Sequence, residues 1–209
     1  MILNELCLYL ASGSPRRLEL LRQIGFAPRT LRHAVDETAL LRERPAEHAQ
    51  RLAEAKARSA AATLDGSAEV GVILAADTVV TIDEAILGKP LDPADAVRML
   101  RRLRGAAHEV LTAIFLQRTD DGREIGVLES TRVVFHDYDD AVVQAYVATG
   151  EPLDKAGAYG IQGLGAFLSE RIEGSWSNVV GLPLERLPGC LERIGIDPQA
   201  LFSGRLTSR

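Results

Sequence analysis

Cysteine and basic excess are both scarce in this 209-residue chain, and each scarcity removes a class of protein. The two cysteines, Cys7 and Cys190, lie among apolar neighbours and give neither a disulfide framework nor a CxxC metal pair, which fits a reducing, cytoplasmic compartment. His33, His48, His108 and His136 fall at no metal-binding spacing and read as structural or exposed. Lys and Arg number 24 against 29 Asp and Glu, so neither nucleic acid nor an anionic membrane is expected as a general partner. Any anionic ligand has to be met by local basic groups. No uncharged apolar run approaches the roughly 20 residues of a membrane span. Met1 to Tyr9 carries Glu5 and no Lys or Arg, where a secretory signal would be basic and then apolar, so export is not expected.

Several catalytic signatures are missing as well. Gly88-Lys89-Pro90 has proline where a Walker A loop needs Ser or Thr, and no glycine stands at the other end, which excludes a P-loop. Gly160-Ile161-Gln162-Gly163-Leu164-Gly165 has the wrong glycine order for a dinucleotide fingerprint and reads as a tight loop. There is no G-x-S-x-G elbow, so a serine hydrolase is unsupported.

What is present reads as one mixed α/β domain spanning the chain. Leu6 to Ala11 is a short apolar strand stopped by Ser12-Gly13-Ser14-Pro15. A helix follows, with Ser14 as N-cap, Pro15 first, Leu18, Leu21 and Ile24 on its inner face, and Gly25 as stop. An alanine-rich helix is expected over about Ala46 to Ala62, then a strand over Val70 to Val80. Asp92 caps a further helix, with Pro93 first, Asp95 at the capping-box position and Gly105 as stop. Glu109 to Arg118 and Glu124 to Phe135 flank Asp120-Asp121-Gly122 as a long antiparallel hairpin. Val142 to Val147 marks a helix ended by Gly150. Ala166 to Ile172 and Asn178 to Leu182 read as strands, and Pro183 to Ile194 as a last helix interrupted by Pro188 and Gly189. The tail beyond Leu201 is expected to fray.

Three placements conflict with stability alone. Arg16 and Arg17 stand in a first helical turn, where the dipole favours acids; they are either solvated surface groups or partners of an anion held at the Ser12 loop. Lys56 falls in the middle of the apolar stripe of Ala49, Leu52, Ala53 and Ala60, either snorkelling past small alanines or walling an anion pocket. Asp77 interrupts an apolar strand, where an unpartnered carboxylate is costly; a turn hydrogen bond, a cation, a metal or a water to be activated would each answer that.

Taken in order, Ala11-Ser12-Gly13-Ser14-Pro15-Arg16-Arg17 with Glu19-Leu20-Leu21, Val35-Asp36-Glu37, Ala76-Asp77-Thr78-Val79-Val80, Leu87-Gly88-Lys89-Pro90, Glu151 to Gly163 and Asn178 to Pro183 closely resemble the Maf family. The resemblance spans roughly Leu8 to Leu187. Trp176, where the family often has tyrosine, and Arg104, where serine is common, are minor departures. It implies an elongated α/β fold like that of inosine triphosphatase, with a mixed sheet, flanking helices, two lobes and a central cleft, and usually a homodimer.

It also implies hydrolysis of a nucleoside triphosphate to the monophosphate and pyrophosphate. Asp77 would activate the water, Glu37 and Asp77 would hold Mg²⁺ or Mn²⁺, and Ser12, Arg17, Lys56 and Lys89 would cradle the phosphates. Arg16, Thr78 and Gln162 match the base-selecting pattern of the subgroup acting on dTTP and UTP. A sister specificity for 7-methyl-GTP, or a non-enzymatic role in septum formation and cell division, are the competing implications.

Overall fold

The computed structural model describes residues 6–65 and 68–198. Met1 to Glu5 and the tail beyond Leu201 lie outside them. Among the described residues, seven strands form a mixed sheet of order β2-β1-β3-β5-β6-β7, with β4 paired to β3. The chain divides into two compact units, 1–77 with 113–128 and 181–209, and 78–112 with 129–180.

The first unit opens with β1 (Cys7–Ala11), α1 (Pro15–Gln23), β2 (Arg29–Thr30) and α2 (Pro45–Ala61). β1 pairs in parallel with both β2 and the start of β3 (Gly71–Ile82), with Cys7 opposite Gly71 and Ala11 opposite Ala75. A strand paired on both sides and covered on both faces carries no polar alternation, and all five residues of β1 are buried. Leu20, Leu21, Leu52, Leu74, Ile114 and Leu116 are among the largest wholly buried side chains of this unit. Pro15 starts α1, and Gly25 at φ +91° follows it. Ser14 occupies the N-cap position without capping through its side chain, and its N–H donates to Ser12 Oγ at 3.2 Å.

The second unit contains β4 (Ala85–Leu87), α3 (Pro93–Leu103), α4 (Asp140–Ala148), β7 (Ser169–Glu173) and α5 (Trp176–Val180). β5 (Ala107–Arg118) and β6 (Glu124–Phe135) contribute segments to each unit, and α6 (Leu187–Arg193) belongs to the first. Leu100, Leu103, Val133, Phe135, Val143, Tyr146, Tyr159 and Leu168 make the second core. Asp92 caps α3 by accepting the Asp95 N–H at 2.7 Å, while Asp95 reaches one residue beyond the box pattern to the Leu91 N–H at 2.9 Å.

Three expectations from the sequence are revised. Val179 and Val180 favour a strand by propensity, yet α5 forms because Ser175 Oγ accepts the Asn178 N–H at 3.0 Å, an N-cap bond. Asn178 is then fully buried, with Nδ2 donating to Val110 O at 2.9 Å and Thr131 Oγ1 at 3.0 Å. Ala166 to Leu168 belongs to a 3-10 helix over Leu164–Leu168, and β7 begins only at Ser169. Pro188 does not break the last helix; it lies in the first turn of α6, where a missing N–H is harmless.

Candidate active site

In the first unit, the inward stripe of α2 carries Lys56 to the end of the apolar stretch of β3. Lys56 is 6% exposed and Asp77 is 7% exposed. The Lys56 ammonium donates to Asp77 Oδ1 at 2.7 Å, and Glu37 Oε1 lies 2.6 Å from the same nitrogen. Snorkelling is thereby excluded, since the charge ends inside on a carboxylate. The Glu37 side chain is 54% exposed, so this second carboxylate joins a buried pair to solvent. One ammonium between two carboxylates leaves a net negative set of hard oxygen donors, the chemistry that suits Mg²⁺ or Mn²⁺ better than a soft metal. No group of three or more His, Cys, Asp or Glu residues suited to a metal occurs among the described residues, so a hard ion here would take its other oxygens from water or substrate.

Before α1, Ser12 Oγ accepts from both the Ser14 N–H and Arg17 Nη1, the latter at 3.0 Å. With both acceptor positions used, its remaining capacity is as a donor, which suits an anion. Arg17 is buried, and its Nε donates to Gly181 O at 2.8 Å. Burial lowers its pKa, Arg16 adds to that, and Asp77 and Glu37 partly offset both. Arg17 therefore belongs electrostatically with the Lys56 set, whereas Arg16 is only half-buried. His33 sits in the same field: burial first and the Lys56 charge second lower its pKa, so it is neutral at pH 7.

In the second unit, Thr78 Oγ1 is 3.0 Å from Thr112 Oγ1, which donates to Asn178 O at 3.0 Å. Lys89 is exposed in the turn after β4, and Gln162 is exposed in the glycine-rich turn after Tyr159. Thus Ser12 with Arg17, and Lys56 with Glu37 and Asp77, are brought together by direct contacts.

Sequence reasoning missed other buried polar groups. Glu43 gathers Arg51 at 2.6 Å and His48 at 2.9 Å. The Arg51 bonds outweigh burial and hold this carboxyl far below the usual range. His108 is 2% exposed, and its Nε2 meets Tyr159 Oη at 2.8 Å. The i to i+3 spacing of His48 and Arg51 on one helix was a readable signal; the His108 pairing, 51 residues apart, left none.

The family described as Maf-like protein matches residues 7–194. The chain belongs to the Maf family. Among curated relatives, one from Oleidesulfovibrio alaskensis is 47% identical over 190 residues, covering 90% of this chain and 84% of its own. One from Acetivibrio thermocellus is 48% identical over 190 residues, covering 90% of this chain and 94% of its own. One from Symbiobacterium thermophilum is 47% identical over 188 residues, with coverages of 90% and 94%. All three bear the name dTTP/UTP pyrophosphatase. Within the residues matched to the Maf family, Ser12 is hydrogen-bonded to Arg17, and Lys56 is paired with both Glu37 and Asp77.

Proposed function

We propose that this Maf protein hydrolyses dTTP and UTP to dTMP or UMP and pyrophosphate. The observation that carries the reading is the convergence of Asp77 and Glu37 on one buried ammonium, in a chain whose relatives bear that activity in their name. Asp77 accepts the proton of a water that attacks the α-phosphorus, and pyrophosphate leaves. Its Oδ1 already holds Lys56, so the proton goes to Oδ2. Asp77 and Glu37 would hold the divalent metal, Mg²⁺ or Mn²⁺, which when bound would offset the phosphate charge.

Lys56 steadies the Asp77 carboxylate and, with Lys89, Ser12 and Arg17, faces the charge that develops on the leaving group. Arg16, Thr78 and Gln162 select the base. A glutamine amide both donates and accepts, and so matches the O4 and N3–H edge of thymine or uracil. We assign the enzyme to the cytoplasm, as a homodimer. No helix among the described residues is long and apolar enough to cross a membrane.

A panel of nucleoside triphosphates with Mg²⁺ or Mn²⁺ tests this, with Asp77→Asn alongside. Pyrophosphate should appear chiefly from dTTP and UTP. Loss of the general base should lower kcat by about 100-fold or more. Turnover preserved in Asp77→Asn would remove Asp77 from the chemistry, and no turnover of any triphosphate by the folded wild type would end the proposal.

A further inference from the structure

The glycine-rich turn that failed as a nucleotide fingerprint is wrapped around an anion of the protein itself. Glu151, in the 3-10 turn after Gly150, accepts the Leu164 N–H on Oε2 at 2.8 Å and the Gly165 N–H on Oε1 at 3.0 Å. Tyr146 Oη on α4 donates to the same Oε1 at 2.9 Å and accepts the Gly160 N–H at 3.1 Å. Lys155 Nζ ties the Glu151 carbonyl at 2.6 Å. Gln162 therefore stands in a turn fastened on its N-terminal side through Tyr146 and on its C-terminal side through the carboxylate.

The glycines show how close this approach is. A Cβ on Gly163 would sit 2.5 Å from Glu151 Oε2, one on Gly165 would sit 2.5 Å from Tyr146 Oη, and one on Gly160 would sit 2.8 Å from Lys155 Cε. Each glycine thus answers to a member of the clamp, and the spacing that fits no phosphate loop fits this carboxylate. Burial pushes the Glu151 carboxyl up, and the two backbone N–H bonds, with Tyr146 and Lys155, outweigh it, so the group is held ionised below its ordinary pKa.

We infer that Glu151 and Tyr146 are positioning residues for base selection, acting through Gln162. The inference rests on the assignment of Gln162 as a base-reading residue. Thymine presents O4 and N3–H where cytosine presents N4–H₂ and a bare N3. A glutamine amide can serve either edge by turning over, so discrimination requires the backbone that carries it to be fixed. The clamp supplies that fixation without touching the substrate.

The experiment measures kcat/KM for dTTP and dCTP in wild type, Gln162→Ala, Glu151→Gln, Tyr146→Phe and the Gln162→Ala/Glu151→Gln double variant. Glu151→Gln should lower the dTTP-to-dCTP ratio by roughly 10-fold, chiefly through a rise in KM for dTTP. In the Gln162→Ala background the same substitution should lower the ratio no further, a non-additivity that general loosening of the fold would not produce. Tyr146→Phe removes one donor to the carboxylate and should shift the ratio in the same direction by less, which keeps the test alive if Glu151→Gln does not fold. If Gln162→Ala relaxes the ratio while the Glu151 and Tyr146 variants leave it as in wild type, or if the two effects simply multiply, the positioning role falls and the base-reading role stands. If Gln162→Ala itself leaves the ratio unchanged, the base-reading role falls and the positioning role falls with it.

Discussion

Replacing Lys56 by methionine isolates what the buried pair does for the fold, because the unbranched side chain keeps most of the volume and loses only the charge. Two interactions are lost, and they differ in worth. The Lys56 and Asp77 side chains are 7% and 10% exposed, so the substitution leaves an ionised carboxylate without its cation in a site nearly closed to water. Breaking one side of a buried pair costs about 3–5 kcal/mol. The Glu37 contact is half open to solvent, where such pairs contribute about 0–1 kcal/mol. The expected loss is therefore about 3–5 kcal/mol, set almost wholly by Asp77. At about 2–4 °C per kcal/mol for a chain of this size, the melting temperature should fall by about 6–20 °C.

Adding Asp77→Asn to Lys56→Met removes the stranded charge, so the double variant should recover at least half of that loss. Urea unfolding followed by circular dichroism, with unchanged m-values, gives all corners of the cycle. A loss below about 1 kcal/mol in Lys56→Met, or a double variant no more stable than the single, would refute the reasoning.

His108 provides a pH signature. Burial lowers it from 6.5 to about 4, so the folded protein keeps it neutral while the unfolded chain protonates it. Stability is then fully present above about pH 6.5 and declines as pH falls toward about 4. The loss between pH 7.5 and 5 should be about 2 kcal/mol, and His108→Asn should flatten it; an equal slope in the variant would remove His108 as its source. Asn178→Ala strips a donor from Val110 O and Thr131 Oγ1 in a fully buried site, and chemical denaturation should show a loss of roughly 2–3 kcal/mol. Asp92→Ala deletes the cap on α3 and should cost about 1 kcal/mol by the same measurement, with no change reading as a helix start that does not depend on the cap.

The elements legible in the sequence are those whose ends carry their own chemistry. Ser14-Pro15 and Gly25 bracket α1, Asp92-Pro93 and Gly105 bracket α3, and Asp120-Asp121-Gly122 separates the two long strands of the hairpin. Lys56 and Asp77 were legible because each breaks an apolar pattern, and the structure resolves both anomalies with one bond. β2 and β4, of two and three residues, offer no periodicity to read. α5 went unread because a Ser175 cap and a buried asparagine outweigh the β preference of two valines. The Glu151 clamp was legible only as a motif and a tight glycine loop, since the carboxylate lies 12 residues before Gly163 and accepts from backbone N–H groups that leave no side-chain signal.

Arg17 hydrogen-bonds to the carbonyl of Gly181, 164 residues later in the chain. The nascent protein therefore makes the helix bearing Arg17 early and its acceptor late. At about 5–20 residues per second, the interval is on the order of ten seconds of synthesis. The first unit, assembled from three separated segments of which 181–209 is the last, cannot complete itself as the ribosome emits it. The uninterrupted run 129–180 is finished before that closing segment appears, so birth order places the final shaping of the Ser12 loop among the last events of folding.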